Sequence, residues 1–177
     1  METRSRKNLN KENDNKRVFV TVGTTKFDKL IQTICKPATL KCLQMLGYSE
    51  VLLQIGSGEV IPTDNRPAIK LDYYRYKSSI KEDIESADLI ISHAGAGSCL
   101  EVLGAKKKLL VVINDELMNN HQLELAYQLY KDKHLYYCTC LNLTETLEDA
   151  DFTCLEEFQP GKPELFVDHI DKMMGFV

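Results

Sequence analysis

The stretch Asp88-Leu-Ile-Ile-Ser-His-Ala-Gly-Ala-Gly-Ser-Cys-Leu-Glu101 decides how the rest of the chain is read. Leu89-Ile90-Ile91 is a short apolar run that reads as a buried strand. It breaks into a turn of small residues, Ala94-Gly95-Ala96-Gly97, after which Ser98 opens a helical run through Leu100, Val102 and Leu103. Strand, glycine turn and helix in that order favour an anion. Glycines let the backbone approach a ligand closely, and the uncapped amides at the positive end of the helix dipole suit a phosphate or pyrophosphate. Glu101 falls one turn inside, where a carboxylate pointing back toward the ligand accepts hydrogen bonds from a pair of sugar hydroxyls. The simplest ligand is a nucleotide diphosphate. Two plainer readings stand beside this one: the turn can exist only to reverse the chain, and Glu101 can be an exposed helix carboxylate.

Outward from that stretch, strands alternate with helices. Val18-Phe-Val-Thr-Val22 is β-branched and aromatic and stops at Gly23, so it reads as a first buried strand. Residues 27–46 supply helical material that Pro37 divides in two and Gly47 closes. Val51–Ile55 and Ile69–Tyr74 read as further strands separated by the loop Pro62–Pro67, and Ser79-x-x-Glu82 matches a capping box ahead of a short helix. Leu109–Ile113 is apolar without alternation, as in a parallel strand covered on both faces. A helix from Asn119 or Asn120 to about Lys131 should bury Leu123, Ala126, Leu129 and Tyr130. Leu135–Cys138 reads as the last strand, Leu143–Leu147 as a short helix, and Pro163 starts a terminal helix over 163–174. The fold class is therefore α/β, a doubly wound, Rossmann-like parallel sheet whose ligand lies beyond the carboxyl ends of the strands.

Composition narrows the function classes. The chain of 177 residues suits one compact unit, expected over 17–177, after a polar stretch at 1–16 that is expected to be disordered. A net charge of -4 without a basic, aromatic-studded face argues against nucleic acid. The six cysteines lack a Cys-x-x-Cys pair, which fits a reducing compartment better than a disulfide framework or a zinc site. No run approaches the ~20 apolar residues of a membrane span. The first strand ends in Gly23-Thr24-Thr25 instead of Gly-x-Gly-x-x-Gly, and no suitably placed acidic residue ends the second strand at Ile55, so a dehydrogenase-type dinucleotide site is disfavoured. An Asp-x-Asp triplet that would hold a divalent metal on a sugar diphosphate is missing too. No metal and no cofactor are expected, and helix amides and side-chain donors are left to stabilise a leaving diphosphate. His93 and His121 are the candidate catalytic side chains, because both fall at the ligand end of the sheet. His134 and His169 read as surface residues.

Three stretches together, Val18–Thr25, Ile91–Glu101 and Asn114–Ala126, resemble the donor-binding half of GT-B glycosyltransferases of the family 28 C-terminal-domain kind. Within that group they are similar to the small catalytic subunits of the transferases that extend dolichol-linked N-acetylglucosamine. The resemblance implies a UDP-N-acetylglucosamine donor bound by Gly23, Thr24, Thr25, His93, Gly95, Ala96, Gly97, Ser98, Glu101, Asn119, Asn120, His121 and Gln122. In this reading Glu101 takes the ribose hydroxyls, and residues 119–122 help hold the sugar and diphosphate. Without it, Thr24 and Thr25 can belong to an ordinary turn, and Asn119 and Asn120 can simply cap a helix. It further implies inversion at the anomeric carbon, a lipid-linked acceptor, and a membrane-anchored acceptor-binding subunit forming a heterodimer at the cytosolic face of the endoplasmic reticulum. The terminal helix is the expected contact with that subunit. Two departures from the pattern stand out: the extension before Arg17, and Lys106-Lys107-Lys108 where relatives carry Gly-Lys-Pro. A non-enzymatic sugar-nucleotide sensor, acting through partner binding, is the competing class.

Overall fold

The computed structural model describes residues 15–63, 69–115, 121–159 and 161, and of His121 and Gln122 only the backbone. Six strands form one sheet: β1 (Lys16–Thr21), β2 (Tyr48–Gln54), β3 (Lys70–Tyr74), β4 (Leu89–His93), β5 (Lys108–Ile113) and β6 (Tyr136–Thr139). Every neighbouring pair is parallel, in the order β3-β2-β1-β4-β5-β6. Helices α1 (Asp28–Ile34) and α2 (Pro37–Met45) link β1 to β2. The remaining crossovers are α3 (Lys81–Ser86), α4 (Ala96–Gly104) and α5 (His121–Lys131), and α6 (Leu143–Asp149) follows β6. The chain leaves β1 toward β2 on one side and leaves β4 toward β5 on the other. The loops after these two adjacent strands therefore diverge and open a crevice at the carboxyl edge, the place where such sheets bind ligands.

Both faces of the sheet are covered, which is why the strands read as continuous apolar runs. Val18, Val20, Leu53, Ile91 and Leu110 pack beneath α1, α2 and α6, with Ile31, Ile34, Leu43 and Leu143. Phe19, Ile90, Leu109 and Val111 pack on the other face beneath α3, α4 and α5, with Ile84, Val102, Ala126 and Leu129. The doubly wound sheet and the division of the first helical region at Pro37, which occupies the first turn of α2, agree with the sequence.

Several boundaries move. β1 begins at Lys16, one residue inside the stretch expected to be disordered, with a register irregularity between Lys16 and Arg17. β2 begins at Tyr48 because it pairs along the whole of β1. The capping box at Ser79 does not form: Ile80 occupies the N-cap position, and Ser79 Oγ accepts from the Lys81 amide at 3.3 Å. Leu123 and Tyr130 are exposed, while Ala126 and Leu129 are buried and Leu125 packs partly buried against the same cluster. The 3-10 turn at Phe152–Cys154 has no counterpart in the sequence reading. His134 is half-buried, with Nδ1 3.0 Å from the Glu156 carbonyl and its ring edge-on to Phe158, so it is not a bare surface residue. Lys106 adopts φ 55°, its ammonium pairs with Glu157, and Lys107 Nζ donates to the Glu85 and Ala87 carbonyls, so the loop before β5 is tied without the expected glycine. The terminal helix and His169 lie outside the described residues.

Candidate functional site at the carboxyl edge of the sheet

The first wall of the crevice is the turn after β1. Thr21 is fully buried; its hydroxyl donates to Gln54 Oε1 on β2 and accepts from the Gly23 amide at 3.0 Å. That relay fixes the chain as it enters Gly23, whose φ of +61° suits glycine. Thr25 Oγ1 donates to the Val22 carbonyl at 2.8 Å, so its hydrogen is used within the turn, whereas Thr24 is exposed.

The second wall follows β4. The His93 carbonyl accepts from the Gly95 amide at 2.8 Å and from Ser92 Oγ at 2.9 Å, with the Cys99 thiol 3.9 Å away. Burial pushes the Cys99 thiol up to about 12, which keeps it protonated. α4 then starts at Ala96, two residues before the expected Ser98, with Gly95 as an N-cap that supplies no side-chain acceptor. The amides of Ala96, Gly97 and Ser98 have no protein acceptor among the described residues. They present the positive end of the helix to the crevice. Glu101 lies further along α4 than expected, exposed, and no described side chain pairs with it.

His93 stands between the walls. A Cβ added at Gly23 would lie 3.1 Å from its Cε1, and one added at Gly95 would lie 2.5 Å from its Nε2. Nδ1 is buried without a hydrogen-bond partner among the described residues. Burial pushes the imidazole below its usual 6.5, against a smaller opposite pull from the Thr21 carbonyl, so the ring is neutral at pH 7.

The outer rim is held by residues that sequence reasoning passed over. Asp28 accepts from the amides of Glu59 and Val60 at 2.9 and 3.1 Å, and Arg75 donates to the carbonyls of Gly56 and Gly58 at 3.1 and 2.7 Å. Asp28 and the Ser57 amide, which donates to the Thr25 carbonyl, pin the loop after β2 against the turn after β1, while Arg75 ties the same loop to the end of β3. Buried Asp83 accepts from Tyr74 Oη at 2.6 Å and from Lys77 Nζ at 2.7 Å, fixing the loop after β3. Lys29 pairs with Asp115 at 2.8 Å, at the root of the loop after β5. None of these leaves a repeating pattern in the sequence, because the partners are backbone groups, residues far along the chain, or side chains six and nine residues from Asp83.

The structure thus brings Gly23, Thr24, Thr25, His93, Gly95, Ala96, Gly97 and Ser98 together around one crevice, with Glu101 on the helix behind it. Asn119 and Asn120 lie outside the described residues. His121 and Gln122 form the first turn of α5, which starts at the same edge of the sheet.

Comparison with known proteins bears on what such a crevice belongs to. The glycosyltransferase family 28 C-terminal domain matches residues 17–172. The human protein "UDP-N-acetylglucosamine transferase subunit ALG13" is 60% identical over 128 residues, 72% of this chain and 11% of that protein. The protein of the same name from Kluyveromyces lactis is 30% identical over 178 residues, covering 81% of this chain and 88% of its own length. The region matched is thus a small part of the human relative and most of the yeast one. An NMR solution structure of ALG13 superposes with a TM-score of 0.67 at 23% identity, covering 88% of this chain and 94% of that one. MurG from Acinetobacter baumannii gives 0.67 at 19% identity, with 90% of this chain matching 50% of that one. At these identities the two structures speak for the fold alone. With the family match running over nearly all of the sheet and its crevice, the chain belongs to the glycosyltransferase family 28 C-terminal domain family.

Proposed function

We propose that this chain is the donor-binding, catalytic subunit of a glycosyltransferase that takes N-acetylglucosamine from UDP-N-acetylglucosamine and passes it to N-acetylglucosamine-diphosphodolichol. The observation that carries the reading is the uncapped amino end of α4, set at the carboxyl edge where the loops after β1 and β4 diverge. Its amides suit the diphosphate both in the bound donor and as a leaving group. The acceptor's 4-hydroxyl oxygen attacks the anomeric carbon from the side opposite the diphosphate, the bond to the β-phosphate oxygen breaks, and UDP departs with the electron pair. Inversion gives a β1,4 link. His121, at the start of α5, is the candidate for the base that takes the hydroxyl proton, and Glu101 is assigned to the ribose hydroxyls. The names of the relatives support the donor and the word subunit. GT-B enzymes bind donor and acceptor on two facing α/β halves, and the described sheet has the form of one such half; because the relatives are named as subunits, the acceptor half is assigned to a membrane-anchored partner at the cytosolic face of the endoplasmic reticulum. Among the described residues no helix is long and apolar enough to cross a membrane.

Calorimetric titration with UDP-N-acetylglucosamine, UDP-glucose and NADH tests the donor. The first should bind best, and binding of NADH without any response to the uridine nucleotides would overturn the reading. Glu101→Gln should weaken the donor by about 2–3 kcal/mol, roughly 30- to 150-fold, and melt normally. An unchanged affinity removes Glu101 from the site. Transfer to a short-chain acceptor by the purified chain alone would end the half-enzyme assignment, and donor binding with no transfer even beside the partner would favour a sensor.

A further inference from the structure

Gly95 has φ -78° and ψ 121°, a conformation open to every residue, so its missing side chain is not a backbone requirement. The obstacle is spatial: an added Cβ would meet three ring atoms of His93, at 2.5, 2.9 and 3.3 Å. A Cβ added at Gly23, on the neighbouring loop, would lie 3.1 Å from Cε1 of the same ring. Because Thr21 pairs with Ser92, His93 follows the last rung shared by β1 and β4, where the two loops begin to diverge. No described hydrogen bond reaches Nδ1, and what the ring presents to Gly23 and Gly95 is its bulk.

We propose that His93 is a positioning residue: its ring is the spacer that sets the Gly23–Thr25 turn against the Ala96–Ser98 amides, and Gly95 lacks a side chain in order to admit it. The proposal deepens the donor-site reading and rests on it for its effect on affinity. A flat ring with glycine on each side fixes the separation of two backbone segments more tightly than a long flexible side chain, and a small displacement of amides aimed at a phosphate is costly in binding.

The test is a double-mutant cycle on the full chain with Gly95→Ala and His93→Ala, read by melting temperature without ligand and by calorimetry with UDP-N-acetylglucosamine. In the otherwise native chain Gly95→Ala should lower the melting temperature by several degrees and weaken the donor about 10- to 100-fold. In the His93→Ala background the same change should shift affinity by less than about threefold, because the two effects are coupled. Gly97→Ala serves as the contrast, since its loss of donor affinity should persist in both backgrounds. Equal costs of Gly95→Ala with and without the imidazole would overturn the proposal. If Gly95→Ala does not fold on its own, recovery of folding in the His93→Ala background is the same rescue, and failure to fold in both contradicts it. Should the native chain not bind the donor at all, the donor reading fails while the melting-temperature cycle still decides the spacer.

Discussion

At Gly95 an added Cβ would stand 2.5 Å from Nε2 of His93, whereas at Gly97, two residues on in the same turn, it would meet nothing within 4 Å among the described residues. Gly56, on the loop after β2, is a third case. Its φ is +54°, and a Cβ there would run into the Thr25 carbonyl and lie 2.9 Å from that of Gly23. What stands behind each glycine differs: backbone that cannot yield, a ring that can swing at a cost, and open space. The difference separates two jobs within one crevice. The turns after β1 and β2 are locked to each other through Asp28 and the Ser57–Thr25 bond, and Arg75 ties the second of them to the end of β3, so together they form a rigid wall. The first turn of α4 has amides at Ala96, Gly97 and Ser98 with no protein acceptor among the described residues.

That contrast can be broken by substitution. Gly56→Ala should have the largest effect, on the order of 3 kcal/mol lost, because left-handed strain adds to a clash with the backbone of the Gly23–Thr25 turn. Urea unfolding measures it, and a loss under about 1 kcal/mol would mean that the wall is softer than its hydrogen bonds imply.

The spacer between the walls gives a smaller, pH-dependent effect. His93 has its folded-state pKa lowered by burial from the usual 6.5, so below that value the unfolded chain takes up the proton more readily than the folded one. Its contribution to stability is complete above about pH 6.5 and declines as the pH falls through and below it. Comparing unfolding of the native chain and His93→Asn from pH 7.5 downward, roughly to pH 5, should show a steeper decline in the native chain; parallel curves would place the ring in a wetter setting than between two glycines.

Gly97→Ala sharpens the contrast from the other side and has the smallest effect on the fold. Alanine is the better helix former, so stability should hold or rise by up to ~1 kcal/mol, while donor affinity falls because a methyl group occupies the approach to the amides. A variant that binds the donor as well as the native chain would show that the ligand does not come close to Gly97.

Much of the fold was legible because buried parallel strands leave unbroken apolar runs, as at Leu89–Ile91 and Leu109–Ile113, and Pro37 divides a helical region wherever it stands. The turn after β4 was legible too, though its helix starts two residues early. Ala96-Gly97 reads as loop on helix propensity, yet a glycine is cheap in a first turn whose amides have no partner inside the helix. The same shift carries Glu101 further from the helix start than its spacing from Ser98 implies. Asp28 and Arg75 were invisible because they bond backbone groups about 20 to 30 residues away, which impose no pattern on the sequence. The packing of His93 against Gly23 could not be read at all, since it depends on β1 and β4 being neighbours although 67 residues and two other strands separate them in the chain.

The central claim is that the donor diphosphate sits on the amides that open α4. Backbone amide NMR of the chain, titrated with UDP-N-acetylglucosamine, tests it residue by residue. The largest shifts are expected at Ala96, Gly97 and Ser98, with a second group at Gly23–Thr25 across the crevice. Shifts confined to the opposite end of the sheet, around the cavity between Tyr130, Leu135, Tyr136 and Leu155, with the α4 amides unmoved, would contradict it.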